Sequence, residues 1–470
     1  MKKHCFLCLI LVALLCFSAC PSAMAQESQE NGCVSLLAQK PLDGTDKKLD
    51  TAKSVILYEL DSQTLVYAYQ PDLRIPVSGM NKIMTALLAL ENVQLDEIAT
   101  VSRKALDSVP VGSVSANLKR DEQMSILDLL YCMMVGSAND AAAVIAEYVG
   151  GSQETFVEMM NLRAVELGCK DTIFCDATGV RGDGQHTTAR DLALITETAL
   201  QNDVFVEIFS TVSYTVERTN KAAARELLTS NNMMRPANKN YYDPRLTGGR
   251  TGASSTTDRS LICTAEENGC RYLSIVMSAA GSVTNDPNIV DKYGSYEETK
   301  QLLDYAFTNF SVFNLMLSDH AMAQFPVENG ENMVSVSPAQ TVRVALPKGT
   351  QLSQISFRSV QNGSLTAPVQ KGAVLGHVEA WYNGICVAKY DLLAMHDVYA
   401  QEQSIQSLEK EHQNDAQEQT DKVVRNITAW AVIVALFGAS AVFAVLFIRR
   451  FKKKRAERKA NSAMNVQRSK

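Results

Sequence analysis

Histidine and tryptophan are scarce in this chain, six and two in 470 residues. The histidines are scattered, and neither they nor the eleven cysteines fall at metal-ligand spacings, so no metal and no other cofactor is expected. Basic residues are not in excess. The 45 Lys and Arg stand against 51 Asp and Glu, a net charge of -6, which gives no footprint for nucleic acid. No internal repeat is apparent. One further shortage is local. In Arg74-Ile75-Pro76-Val77-Ser78-Gly79-Met80-Asn81-Lys82-Ile83-Met84-Thr85, no hydroxyl stands three residues before the lysine, because that place holds Gly79. Four residues before it stands Ser78.

What is present is ordinary for a globular protein, 46% apolar and 20% charged, and 470 residues suggest two domains with appendages. Met1-Lys2-Lys3, an apolar run over 6–17 and Ala23-Met24-Ala25 form a secretion signal over 1–25, with the mature chain starting at Gln26. Lipidation at Cys20 is the alternative. Residues 427–448 carry no charge and are long enough to cross a ~30 Å hydrocarbon core. Trp430 is placed as an interfacial anchor. Arg449-Arg450-Phe451-Lys452-Lys453-Lys454-Arg455 follows, so 449–470 is a basic cytoplasmic tail. The expected protein is a single-pass cell-membrane protein with its body on the extracytoplasmic side. Residues 399–426 form a polar stalk. Seven cysteines outlast the signal, an odd number. Cys263 and Cys270 flank an expected hairpin turn over 264–269 and could bridge it; Cys169 and Cys175 are a second candidate pair.

Between these ends, 54–60 and 64–69 read as a strand pair. Helical stretches follow at 82–92, 125–135, 138–148, 153–167 and 188–200. Strands at 260–264 and 271–279 and a helix at 297–307 close the unit. Strands at both ends with helices between imply one α/β (α+β) domain over 50–310, its sheet built from both ends of the segment. Residues 311–398 alternate short strands, such as 341–346 and 374–382, with Gly, Pro and Asn turns, and form a small all-β domain.

The order of residues in the helical unit points to acyl-transfer chemistry. A Ser-x-x-Lys pair sets a hydroxyl and an amine one helical turn apart, and a buried amine can lose its proton and serve as base. A Ser-x-Asn triplet relays that proton and orients an amide. A Lys-Thr-Gly triplet binds a carboxylate along a strand edge, and backbone N–H groups hold the oxyanion. Here Lys82, Ser137-Ala138-Asn139 and Arg250-Thr251-Gly252 stand in that order.

Longer strings extend the match: Ser137-Ala138-Asn139-Asp140-Ala141-Ala142, His186-Thr187-Thr188-Ala189-Arg190-Asp191, Asn231-Asn232 and Ala367-Pro368-Val369-Gln370-Lys371-Gly372. On these residues the chain resembles the D-alanyl-D-alanine carboxypeptidases among the low-molecular-mass penicillin-binding proteins, over roughly 53–398. The resemblance implies a β-lactamase- and transpeptidase-like domain, then the β domain and a C-terminal membrane anchor. It implies Lys82 as general base, Ser137 and Asn139 as the second motif, Arg250, Thr251 and Gly252 as the carboxylate-binding third, and Ala253 N–H as an oxyanion donor. It implies cleavage of terminal D-Ala from peptidoglycan stem peptides through an acyl-enzyme, and acylation by β-lactams.

Three residues depart from that pattern. Arg250 replaces lysine, which keeps a carboxylate-binding cation but loses a proton shuttle. Thr256-Thr257-Asp258 stands where small residues ending in glycine are usual. Gly79 occupies the nucleophile position, and without an attacking atom no covalent intermediate forms. The expected protein therefore recognises stem peptides in an inherited pocket and is catalytically impaired. The alternative is an active carboxypeptidase with Ser78 as displaced nucleophile, since residues i and i+4 also share a helix face. The third reading is a wholly decayed site, with only the β domain, stalk and span in use as an interaction module; Ser78 itself would also serve as a plain helix N-cap.

Overall fold

The computed structural model describes residues 40–42, 49–180, 184–255, 258–284, 286, 290–400, 414–415, 417–432, 445–450 and 452–453. The expected signal over 1–25 lies outside them. So do much of the stalk, residues 433–444 at the centre of the expected span, most of the basic tail, and Thr256-Thr257. Among the described residues no helix is long and apolar enough to cross a membrane.

Five strands make the main sheet: β1 (Ser54–Glu59), β2 (Thr64–Tyr69), β3 (Leu246–Ala253), β4 (Asp258–Glu267) and β5 (Cys270–Ala280). Their order is β2-β1-β5-β4-β3, every pair antiparallel. The sheet thus joins the start of the domain to its end. Alternating side chains divide between two cores, because successive residues of a strand face opposite ways. Ile56, Leu273, Ile275 and Met277 face one core, and Val55, Leu57, Tyr272 and Val276 the other. Helices α1 (Asn81–Asn92), α2 (Ile126–Met134), α3 (Asn139–Gly150), α4 (Gln153–Glu166) and α5 (Ala189–Ala199) fill the first core. Helix α6 (Gly294–Asn309) covers the second with Leu302, Leu303 and Ala306.

The helices begin where side-chain oxygens satisfy their first N–H groups. Ser125 caps α2 through Asp128 N, Ser152 caps α4 through Thr155 N, and Thr188 caps α5 through Asp191 N. Each such cap contributes about 1 kcal/mol. Helix α3 ends at Gly151, whose φ of 71° suits glycine best.

The β4–β5 hairpin corrects an expectation. Its turn is only Asn268-Gly269, with φ of 53° and 75°, the left-handed pair that two-residue hairpins favour. The strands run on to Glu267 opposite Cys270, so Cys263 faces Ser274 instead. No cross-strand disulfide forms, and Cys263, Cys270, Cys169 and Cys175 are all free thiols.

By contacts the chain forms two compact units. One holds the described residues up to Phe325 with Ser335–Gly363 and Lys371–Met395. Within it, Phe310–Met316 pairs with Val342–Pro347, and Ile355–Gln361 flanks the hairpin of Val374–Tyr382 and Ile385–Ala394. Most strands of the expected β domain therefore group with the first unit. The other unit holds Pro326–Val334, Ser364–Gln370 and the described residues from His396. There Val327–Glu328 runs parallel to Leu365–Thr366.

Candidate active site

The approach to α1 is a left-handed turn. Ser78 has φ of 50° and Gly79 φ of 83°; Met80 takes the N-cap position with no side-chain cap bond, and the helix starts at Asn81. Two further glycines hold the turn on either side. A Cβ on Gly179 would lie 2.3 Å from Gly79 N, and one on Gly252 would lie 2.3 Å from Ser78 O. Only glycine permits that approach of backbone to backbone. The Ser78 hydroxyl donates to Pro76 O at 3.2 Å. Ser78 therefore neither caps α1 nor shares a helix face with Lys82. Both expectations fail because the left-handed turn places it outside the helix.

Lys82, in the first turn of α1, is 3% exposed. Its Nζ donates to Asn139 Oδ1 and to Thr178 O, each at 2.7 Å. Burial, and after it the charge of Arg250, hold its pKa well below the usual lysine value, with Asp176 opposing. A Cβ added to Gly79 would lie 3.8 Å from this nitrogen, in ordinary van der Waals contact. A Cβ before the lysine would thus meet no clash.

Asn139 opens α3, and its N–H and Nδ2 both donate to Val114 O, at 2.9 and 3.0 Å. Asp140 accepts from Ser115 Oγ, Ala116 N and Leu118 N at 2.6, 2.9 and 3.0 Å. Together they tie the loop after Pro110 to the helix. Ser137 sits just before the helix at φ of 59° and accepts from Arg250 Nη2 at 3.0 Å.

Arg250 corrects a second expectation. It is 2% exposed, and its guanidinium turns inward. Nη1 donates to Met133 O and Met134 O at 3.2 and 2.8 Å, and Nε to Gly79 O at 3.4 Å. Its charge meets the carbonyl end of α2, where the helix dipole favours a cation. Burial lowers its pKa to about 10, which leaves it protonated at neutral pH. A guanidinium occupied in this way does not face a substrate carboxylate.

Above these groups lies a cavity of about 680 Å³. Ser78, Gly79, Lys82, Ser137, Asn139, Thr251, Gly252 and Ala253 all line it, so eight of the nine residues singled out in the sequence converge on one wall. Arg250 lies beneath. Thr251 Oγ1 is 2.7 Å from Ser230 Oγ, and Arg259, stacked 5.0 Å above the Tyr293 ring, also lines the cavity. Ser230, Arg259, Thr178 and Asp176 were not singled out. Thr178 acts through a carbonyl that any residue could supply, so it carries no sequence signal. Asp258, another departure from the pattern, accepts from Ser278 Oγ at 2.7 and 2.8 Å and from Lys53 Nζ at 3.2 Å.

The comparisons with known proteins agree with this geometry. The family model described as D-alanyl-D-alanine carboxypeptidase matches residues 44–281, just over half of the chain. The chain belongs to the D-alanyl-D-alanine carboxypeptidase family. A second model, the penicillin-binding protein 5 C-terminal domain, matches residues 310–400. Among curated relatives, D-alanyl-D-alanine carboxypeptidase DacF of Bacillus subtilis is 25% identical over 83% of this chain and 93% of its own. DacC of Escherichia coli is 27% identical over 74% and 84%. Among solved structures, penicillin binding protein 5 from Haemophilus influenzae superposes with a TM-score of 0.63 at 26% identity, covering 76% of this chain and all of its own.

With glycine at position 79, Lys82 is a buried amine with no carboxylate bonded to it among the described residues. That has a consequence for stability. With both states protonated at low pH, burying the ammonium disfavours the fold. Between the depressed folded pKa and the ordinary value near 10.4, the unfolded chain keeps a proton that the native one has lost, so stability rises with pH across that window. Urea unfolding measured through that window should show this rise, and Lys82→Met should flatten it. An equal slope in both proteins would contradict the depressed pKa.

Proposed function

We propose that this protein is a membrane-anchored, extracytoplasmic member of the family that binds peptidoglycan stem peptides without forming an acyl-enzyme. The observation that carries this is Gly79, whose missing side chain leaves Lys82 Nζ facing a vacancy where the attacking hydroxyl would stand. The rest of the wall supports recognition: the Thr251 and Ser230 hydroxyls, the Ala253 strand end and Arg259 face one cavity. Binding at this site would reach β-lactams as well as stem peptides. The anchoring rests on the uncharged run over 427–448 and the basic residues after it.

Turnover through Ser78 is the rival reading, and its one support is that Ser78 also lines the cavity. Against it, the Ser78 hydroxyl is bonded to Pro76 O, while both bonds of Lys82 Nζ go elsewhere.

Titration calorimetry of the detergent-solubilised full chain with a synthetic stem pentapeptide tests recognition. Saturable one-to-one binding is expected, weakened about two- to tenfold by Thr251→Ala, the worth of one hydrogen bond. A folded chain that binds no pentapeptide contradicts the proposal.

A further inference from the structure

A general base without a nucleophile to serve is itself a nucleophile. The Lys82 amine has two hydrogen-bond partners, Asn139 Oδ1 and Thr178 O, and both are neutral acceptors. A neutral amine has two N–H bonds to give them and keeps one lone pair. In a serine-bearing site that lone pair would be engaged by the hydroxyl. Among the described residues, chain neighbours aside, the position of a Gly79 Cβ lies 3.8 Å from Nζ and 3.9 Å from Thr178 O with no other atom within 4 Å. The vacancy opens into the cavity of about 680 Å³, of which Lys82 is part of the wall. Among the described residues the charged groups acting on the amine are Arg250 from β3 and Asp176 from the loop before Thr178; burial lowers its pKa most, and the arginine's lowering outweighs the aspartate's raising.

We infer that Lys82 is a reactive amine that captures small carbonyl compounds, aldehydes above all, as an imine within the cavity. This goes beyond the binding of stem peptides and does not depend on it. The step balances without oxidant or reductant. The lone pair of Nζ forms a bond to the carbonyl carbon, the carbonyl oxygen takes up a proton from a neighbouring hydroxyl, and nitrogen returns one of its two protons to that hydroxyl, giving a carbinolamine. The hydroxyl then leaves as water while nitrogen gives up its remaining proton, and a C=N bond forms. The Ser137 hydroxyl is suited to supply the proton. Its oxygen accepts from Arg250 Nη2 at 3.0 Å, which leaves its own hydrogen to donate, and it lines the same cavity. A glycine at position 79 thus suits the site to forming an imine instead of an ester.

The probe is glyoxylate, with cyanoborohydride to trap the imine, applied to the full chain at neutral pH and read by peptide mapping. Lys82 is expected to be modified at least about tenfold faster than any surface lysine, because a lowered pKa frees its lone pair more of the time. Its modification should fade as pH falls through its depressed pKa. Gly79→Ser should slow it, because the hydroxyl would fill the vacancy, while leaving surface lysines unchanged. Labelling spread over surface lysines, with Lys82 untouched in folded protein, would overturn the inference. Equal Lys82 labelling in the parent and in folded Gly79→Ser would overturn the role of the vacancy.

Discussion

Gly79→Ser is expected to gain a penicillin ester that, on the proposed function, the parent does not form. The added Cβ has room, at 3.8 Å from Lys82 Nζ, so its hydroxyl can reach an amine whose pKa burial and Arg250 hold low. The obstacle is the backbone. With φ of 83°, a serine there carries left-handed strain of about 1–2 kcal/mol. A hydroxyl misplaced by ~1 Å can lose ~100-fold in rate. The adduct should therefore form slowly but to one per chain, on the peptide carrying position 79. Neutral hydroxylamine should remove it, as it cleaves esters and spares amides. Gly79→Ala shares the strain and lacks the hydroxyl, so it should fold and form no ester. If the serine variant folds and stays inert, the wall around Lys82 is no longer competent for acyl transfer.

Arg250→Met is expected to cost about 2–4 kcal/mol of folding stability. The guanidinium joins four otherwise separate acceptors: Gly79 O, Met133 O, Met134 O and Ser137 Oγ. Each buried acceptor left without a donor costs about 1–3 kcal/mol, and removing a buried cation offsets part of the sum. Urea unfolding at neutral pH measures the difference. The same variant should raise the pKa of Lys82, because the guanidinium is the nearby charge that depresses it. Arg250→Lys should fall between parent and Met, since an ammonium can reach some of the carbonyls but lacks the planar fork. Unchanged stability in Arg250→Met would mean that the guanidinium does not bind the turn, the helix end and Ser137 together.

Much of this architecture was legible in the sequence, because the signals were local. Strands 54–60 and 64–69, the helix after Asn81 and the strand over 374–382 followed from alternation, helical composition and Asn-Gly punctuation. The convergence of Lys82, Ser137, Asn139 and Thr251 was legible through order alone. What escaped was set by side-chain direction and backbone handedness. Arg250 sits in a strand triplet that reads as a carboxylate binder, yet it points under the sheet edge toward the end of α2. Ser78 stands four residues before Lys82, but a left-handed turn cannot be read from spacing, and it removes Ser78 from the helix. The hairpin of Cys263 and Cys270 was placed correctly and its turn misjudged. Asn-Gly alone turns the chain, so the two sulfurs never face each other.

The most direct measurement is D-alanine release from a stem pentapeptide by the unaltered full chain, held at saturating peptide beside its Ser78→Ala variant. No release from either protein, with pentapeptide binding intact, is the expected result and follows from a wall that recognises without attacking. Release by the unaltered chain that disappears in Ser78→Ala would contradict it, and would make the displaced serine a working nucleophile.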